Sequence, residues 1–463
     1  MANDTLITRL ATWIGKFDYD GVPDRVVELA KFSLLDALGG AFAATTFSEG
    51  ASEALATVDD VDDSTACSVI GRKRKASVVN ATFANGLLIR ALDFNDYLPS
   101  DPNDGTKLGS HPSDNMAIGM AVGEMKGSSG RDFLTAMVMG YEVNGRLQKL
   151  LHHDSYWDHT TATGLVSPAI AGRLMRLDHD RLSAALGFGM AHGATPGSVR
   201  RGHISSGKFL ADPIVAMTGV FGTMLAARGV TGPISVFEGS KGLRKAIFND
   251  ADLEELVRPL DRLTMFEGVC IKAYPCFANS QSSVSAAIEA RKSFKGGPKN
   301  IERIEMTMDD VPAVTQQLDD VTRRYPKNQE TADHSYHFVV AVALIDGEVT
   351  LRSYENERWN DPQVVDLMNR IRITPDKAWG KRDHGGSPAS LTIVGKDGSR
   401  ASAEVAYPSG HIKNPLGADG IAEKFKGNVG GLIDDKRAAA IVDAVYSLEK
   451  QPSLNKLMGL LAG

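Results

Sequence analysis

Cysteine is scarce in this chain, three residues in 463, and Cys67, Cys270 and Cys276 include no C-x-x-C pair. That count and spacing argue against a disulfide framework and fit a reducing compartment, so a cytoplasmic setting is expected. No sign of charge dominates: 51 Lys and Arg against 57 Asp and Glu leave a formal charge of -6, too mild for nucleic acid or an anionic membrane to be the main partner. Long apolar runs are also missing. The longest relevant charge-free stretch, Pro213 to Ala227 between Asp212 and Arg228, is 15 residues, too short to span a bilayer and expected to be a buried helix. The first residues, Met-Ala-Asn-Asp-Thr-Leu-Ile, carry no basic segment followed by an apolar one, so no signal peptide is expected. Nucleotide signatures are absent too. Gly187-Phe-Gly189-Met-Ala-His-Gly193 has G-x-G-x-x-x-G spacing within a helical pattern and no strand before it, so its glycines are expected to serve packing.

What remains is ordinary globular composition, 43% hydrophobic and 23% charged, at a length that predicts two domains or one with an appendage. From Leu6 to about Phe266 apolar residues recur at helical spacing. Val26, Val27, Ala30, Leu34, Leu35 and Leu38 run from Pro23 to Gly39-Gly40, and stripes rich in Ala and Gly follow over 116–124, 132–151, 162–175, 180–191 and 213–228. After Phe266 the texture changes. Asn279 is placed to cap a helix over 280–293; Ile304, Met306 and Met308 alternate, as do Ile371 and Ile373; Leu391 to Val394 faces Ala403 to Val405 across Lys396-Asp-Gly-Ser399. Asp333 is placed to cap a helix through Ala343, and Gly417 to Phe425 and Asp434 to Glu449 return to helix. The fold expected is mostly α: a large all-α domain with a smaller α+β lid inserted before the C-terminal helices, divided as 1–267, 268–410 and 411–463.

The helical pattern is interrupted once, between a helix over Ala81 to Leu92 and another from Met116. The interruption carries Asp93, Asp96, Asp101, Asp104, Lys107 and His111 and ends in Ser113-Asp-Asn115. Loops of roughly twenty residues inside a compact domain are usually functional or disordered. Its closing residues are good helix caps, which puts His111 at a helix N-terminus, where the positive dipole end disfavours imidazolium and welcomes an anion.

Four further segments concentrate polar groups. Tyr156-Trp-Asp-His159-Thr-Thr161 precedes a small-residue helix. Val199-Arg-Arg201-Gly-His203-Ile-Ser-Ser206-Gly-Lys208 offers cations, hydroxyls and two glycines, a set suited to a carboxylate; it lacks the order of a phosphate loop. Cys270-Ile-Lys272-Ala-Tyr274-Pro-Cys276 sets a lysine among apolar residues at the expected domain junction, where ligand sites favour forming. An iron–sulfur cluster on the three cysteines is disfavoured because Cys67 lies in Ala66-Cys-Ser-Val-Ile70, which reads as a buried strand. Asp333, His334 and His337 have the residue types of metal ligands, but a helix start explains them better, and no metal is expected.

Five motifs in order along the chain then converge: Asp93-Phe-Asn-Asp96, His111-Pro-Ser-Asp-Asn115, Lys272-Ala-Tyr-Pro275, Glu330-Thr-Ala-Asp-His-Ser335, and Tyr407-Pro-Ser-Gly-His411 with Asn414-Pro-Leu416. Together they resemble the MmgE/PrpD family, which includes 2-methylcitrate dehydratase, cis-aconitate decarboxylase and iminodisuccinate epimerase. The resemblance implies a helical domain with an α+β lid, a homodimer formed through the helical domain, a small polycarboxylate substrate, and chemistry without metal, iron–sulfur cluster or organic cofactor. Carried over by motif, it implies catalytic roles for Asp93, His111, His159, Lys208 and Lys272; Tyr97, Arg201, Ser206 and Tyr274, from the same polar segments, are expected at the substrate. Tyr97 stands where relatives commonly have Thr, and the stretch from Leu98 to Ser110 is longer than in the decarboxylases. That length and the Asp114-Asn115 ending lean towards the dehydratases, so reversible dehydration of a 2-methylcitrate-like or citrate-like acid is expected, with decarboxylation or epimerisation as alternatives.

Overall fold

The computed structural model describes residues 4–103, 105–151, 156–257, 263–379 and 387–463. The expected class is the one observed, mostly helical with a smaller α+β part. Two hydrophobic cores organise it. The larger gathers the helices from Leu6–Lys16 to Gly207–Ala227 and also takes in Ile421, Phe425, Ile441 and Leu457 from the C-terminal helices Gly417–Val429, Asp435–Tyr446 and Asn455–Leu461. The smaller is built on a four-stranded sheet of β3 (Ile301–Asp309), β4 (Ile371–Asp376), β5 (Ala389–Gly395) and β6 (Arg400–Val405), in the order β4-β3-β5-β6. Strand β3 pairs parallel to β4 and antiparallel to β5, and the expected β5–β6 hairpin sets Thr392 opposite Ser402. The parallel pair requires a crossover, and the helix Tyr336–Asp346, whose apolar residues lie in the smaller core, runs within it.

Small residues do the packing work expected of them. A Cβ at Gly189 would stand 2.2 Å from the carbonyl oxygen of Gly164, and one at Gly193 2.5 Å from the Gly164 Cα, so the helices Thr163–Leu174 and His179–His192 cross at backbone contact. Gly187-Phe-Gly189-Met-Ala-His-Gly193 is therefore a helix-crossing surface. Against expectation, Gly39-Gly40 do not end their helix, which runs Asp24–Phe47 with both glycines buried in its middle. The charge-free run from Pro213 belongs to a longer helix, Gly207–Ala227, whose 21 residues and mean hydropathy of 1.6 would suffice by length and composition to cross a membrane, yet it carries Lys208 and Asp212 and packs against the helices Val78–Arg90, Thr163–Leu174 and His179–His192 of the larger core.

Two caps also differ. Ser335, accepting from the Phe338 N–H at 3.2 Å, caps Tyr336–Asp346, which leaves Asp333 just outside the helix and free for other work. Asn279 lies inside a 3₁₀ turn, Ala278–Ser280, that leads into the helix Gln281–Ser293. The segment around Cys67 forms two isolated bridges, Cys67 with Ala76 and Ile70 with Ala462, in place of a strand.

Candidate active site

The interrupting loop is more ordered than a surface loop. After the helix Val78–Arg90 the chain turns through Asp93, whose φ of +46° puts an L-residue in the left-handed region. Asp and Asn tolerate that region better than other side chains, and such conformations cluster at functional sites. A two-stranded hairpin follows, β1 (Leu98–Ser100) against β2 (Lys107–Ser110), where an irregular loop was expected; Asp104 lies outside the described residues. Asp96 accepts from Ser113 Oγ at 2.6 Å and from the Tyr141 hydroxyl at 2.8 Å. It is a buried brace that holds the loop, whereas Asp93, three residues earlier, is its chemical end.

Asp93 collects cations from three directions. Arg90, one turn back, pairs with Oδ1; Lys272 Nζ lies 3.0 Å from the same oxygen; Lys208 Nζ lies 3.6 Å from Oδ2. Lys208 sits in the first turn of Gly207–Ala227. Lys272 lies on a segment fixed to the loop by paired backbone bonds between Tyr97 and Cys270, at 2.9 and 2.8 Å. Burial alone would raise the Asp93 carboxyl, but Arg90, Lys208 and Lys272 outweigh it and hold it well below the usual range. The ionised aspartate is thus an anchor. Burial lowers Lys272, and Asp93 opposes that shift.

The imidazoles form the more open rim. Side-chain exposure is 11% for His111, 15% for His159 and 18% for His334, against 2% or less for Asp93, Arg90, Lys208 and Lys272. His111 Nδ1 lies 2.7 Å from the Asp96 carbonyl oxygen, which only accepts, so Nδ1 carries the proton and Nε2, 3.8 Å from Asp93 Oδ1, presents a lone pair. Burial, with Arg90 and Lys272, keeps this ring well below its ordinary value and therefore neutral. The His111 and His159 ring centres are 5.7 Å apart. His159 Nε2 lies 3.1 Å from an Arg200 nitrogen, a permanent donor, so this ring accepts there and is also neutral. Arg200 in turn binds Asp158 at 2.6 Å and lies 3.6 Å from Asp212.

The smaller α+β part contributes the third imidazole. His334 stacks on Phe277 and points Nε2 at Asp93 Oδ2, 3.3 Å away, while Nδ1 contacts Asp333. Burial pushes Asp333 well above the usual carboxyl range, and burial with Lys208 pushes His334 well below its own. The consistent proton assignment is a protonated Asp333 donating to Nδ1 and an Nε2–H directed at Asp93. Glu330 of the same part takes a 3.0 Å bond from Lys208.

Of the residues expected at the site, Asp93, His111, Lys208 and Lys272 stand in one cluster, with His159 beside His111. The others are elsewhere or indirect. Arg201 is exposed on a surface groove with Asp319, Asp320 and Arg323; its neighbour Arg200 is the one turned inward. Ser206 is exposed beside Gly50. Tyr97 is buried and serves through its backbone, and the Tyr274 hydroxyl accepts from Ser285 at 3.3 Å. Sequence reasoning missed Arg90, Asp212, Glu330 and the role of His334. Arg90 interrupts the apolar run Leu87-Leu-Ile-Arg90-Ala-Leu92, and Asp212 interrupts another; a charge inside such a run was the available signal.

Among the described residues two groups have ligand-type atoms within 4.8 Å of one another, Asp93 with Asp333 and His334, and Asp114 with His159 and Asp212. Neither suits a divalent ion well. Protein cations already stand against the carboxylates: Arg90, Lys208 and Lys272 in the first, Arg90 and Arg200 in the second. Among the described residues no cysteine belongs to such a group, and burial raises the thiols of Cys67 and Cys276 to about 12.

The neutral His159 has a consequence for acid stability. Burial, then Arg200, lowers it from 6.5 to about 4. Above pH 6.5 neither the folded nor the unfolded form holds the proton; below it the unfolded form does, so stability is lost as pH falls towards 4. The displacement corresponds to about 3 kcal/mol. Denaturant titrations at pH 7 and pH 4.5 are expected to show His159→Gln losing less stability than the parent, by most of that amount; equal losses would refute the assignment.

The fold and the cluster define a two-part, mostly helical protein whose ionisable centre draws on both cores. The chain belongs to the MmgE/PrpD family, matching the MmgE/PrpD N-terminal domain over residues 8–256 and the C-terminal domain over 274–450. The second match runs on into helices that pack on the larger core. Among its relatives, cis-aconitate decarboxylase-like protein oryM of Aspergillus oryzae is 24% identical over 98% of this chain and 96% of its own. Cis-aconitate decarboxylase of Mus musculus is 24% identical over 95% and 90%, and 2-methylcitrate dehydratase of Cupriavidus necator 26% over 81% and 80%.

Proposed function

We propose that this protein is a metal-independent hydro-lyase that dehydrates a hydroxy polycarboxylate of the 2-methylcitrate or citrate type. The observation that carries this reading is the placement of two neutral imidazoles of opposite proton state, His111 with a bare Nε2 and His334 with an Nε2–H, on the two oxygens of one cation-bound aspartate. Dehydration beside a carboxylate needs a base for the C–H and an acid for the departing hydroxide. His111 Nε2 takes the proton. Asp333 passes one to His334 Nδ1 as His334 Nε2–H releases one to the hydroxide, which leaves as water. Lys208 and Lys272 offset the charge that develops on the substrate carboxylate, where one preorganised donor is typically worth ~3–4 kcal/mol of barrier. His159, held by Arg200, orients substrate, and Asp93 fixes the lysines. Substrate carboxylate takes the place of Glu330 on Lys208.

The relatives named as decarboxylases are as similar as those named as dehydratases, which supports the second reading, loss of carbon dioxide from a cis-aconitate-like acid; that reaction needs a single proton donor and leaves one imidazole without a task. Purified, EDTA-treated protein incubated with 2-methylcitrate, citrate and cis-aconitate is expected to form or consume the unsaturated acid without releasing carbon dioxide. Activity lost on chelation and restored by metal would sink the metal-free claim. Carbon dioxide would move the assignment to a decarboxylase, and deuterium exchange without net conversion to an epimerase.

A homodimer through the helical part belongs to the same reading. Ile214 and Phe221, 49% and 53% exposed, lie two turns apart on one face of Gly207–Ala227, with Met217 and Thr218 between them. Sedimentation is expected to give a dimer that Phe221→Asp dissociates; a parent monomer at tens of micromolar would rule it out.

A further inference from the structure

The left-handed turn at Asp93 is held by two ammonium groups through consecutive backbone carbonyls. Lys272 Nζ donates to the Asp93 carbonyl. Lys424 Nζ donates to the next one, that of Phe94, at 3.1 Å, and stands 3.8 Å from the centre of the Phe94 ring. Lys424 comes from the helix Gly417–Val429, more than three hundred residues away in the chain, and is fixed by an ion pair to Asp36 of the helix Asp24–Phe47. Asp36 is fully buried, and its second oxygen has no hydrogen-bond partner among the described residues. A buried pair of this kind is weak as a source of stability, since two well-packed apolar side chains commonly do as well. Lys424 engages the loop backbone immediately after the anchor aspartate, a position that calls for a role at the site.

We propose that Lys424, seated by Asp36, is a positioning residue for the reacting centre: it clamps the Phe94 carbonyl and so holds the Asp93 carboxylate where Lys208, Lys272 and His334 meet it. The clamp rests on the reading of Asp93 as the anchor of the catalytic cluster. It does not touch substrate. Without it the turn relaxes out of the left-handed region, the carboxylate swings away from the two lysines, and charge stabilisation is lost while the surfaces that bind substrate persist.

The test separates the clamp from the ion pair. Asp36→Leu with Lys424→Met removes both charges together and leaves no buried ion unpaired. Asp36→Asn with Lys424→Gln also removes both charges and keeps an N–H donor for the Phe94 carbonyl. The apolar pair is expected to melt within a few degrees of the parent, to lose at least tenfold in kcat with KM within threefold, and to show at least tenfold faster amide hydrogen exchange in a peptide spanning residues 88–98. The amide pair is expected to recover at least fivefold of that kcat and most of the exchange protection. Parent-like kcat and exchange in the apolar pair would overturn the proposal, as would failure of both double variants to fold, which would make the pair a requirement of the core. If the parent turns over none of the acids tested, the proposed reaction fails, and the exchange arm alone decides the clamp.

Discussion

Lys272→Met is expected to lower turnover by about 10²–10³-fold with little change in melting temperature, the scale set by loss of one preorganised charge in a closed site. The ammonium is fully buried, and its removal leaves Asp93 still paired with Arg90 and close to Lys208. No carboxylate is stranded, and methionine keeps the packing of the stem. A substitution that removes a desolvated charge without unpairing its partner costs little in folding. Its effect therefore falls on the step in which negative charge builds beside the substrate carboxylate and on the turn at Asp93, whose carbonyl loses the Lys272 donor while Lys424 still holds that of Phe94. KM should move less than kcat, because Lys208 still offers a cation for binding. Turnover within threefold of the parent, measured on whichever acid the parent converts, would remove Lys272 from the reacting centre.

His111→Asn is expected to cost a factor of about 10²–10⁴, the usual contribution of a general base, and to abolish exchange of the substrate C–H with deuterated solvent. Asn keeps a side-chain N–H for the Asp96 carbonyl that His111 now engages at 2.7 Å, so the loop has its tie and the loss is assigned to the missing lone pair. Proton NMR of substrate in D₂O reads it directly. Exchange at the parent rate would place the base at His159 or His334. The comparison discriminates because the three imidazoles differ in what faces Nε2: an aspartate oxygen 3.8 Å away at His111, a guanidinium nitrogen at His159, and an aspartate oxygen 3.3 Å away at His334.

The parts legible in sequence were those written locally. Helical periodicity gave the large body, alternation around Ile304 and Leu391 gave the sheet, and Lys396-Asp-Gly-Ser399 gave the hairpin, because each depends on residues within a few positions. Asp93 and His111 stood out as polar groups interrupting a helical run, and Lys272 as a cation among apolar neighbours. Partnerships across the chain were not legible. Nothing near Asp333 shows that Ser335 would take the cap and leave the aspartate against His334. Nor does anything near Arg200 and Arg201 show which turns inward, since one residue of register decides it and the deciding partner, Asp158, lies 42 positions away.

The return of the C-terminal helices to the larger core sets an order of events during synthesis. Phe425 and Ile441 are fully buried there, and Gly71 and Arg72 are tied to Leu461 and Gly463 by backbone bonds. Until those residues leave the ribosome, the apolar faces they cover stay open to solvent, and such surfaces invite aggregation.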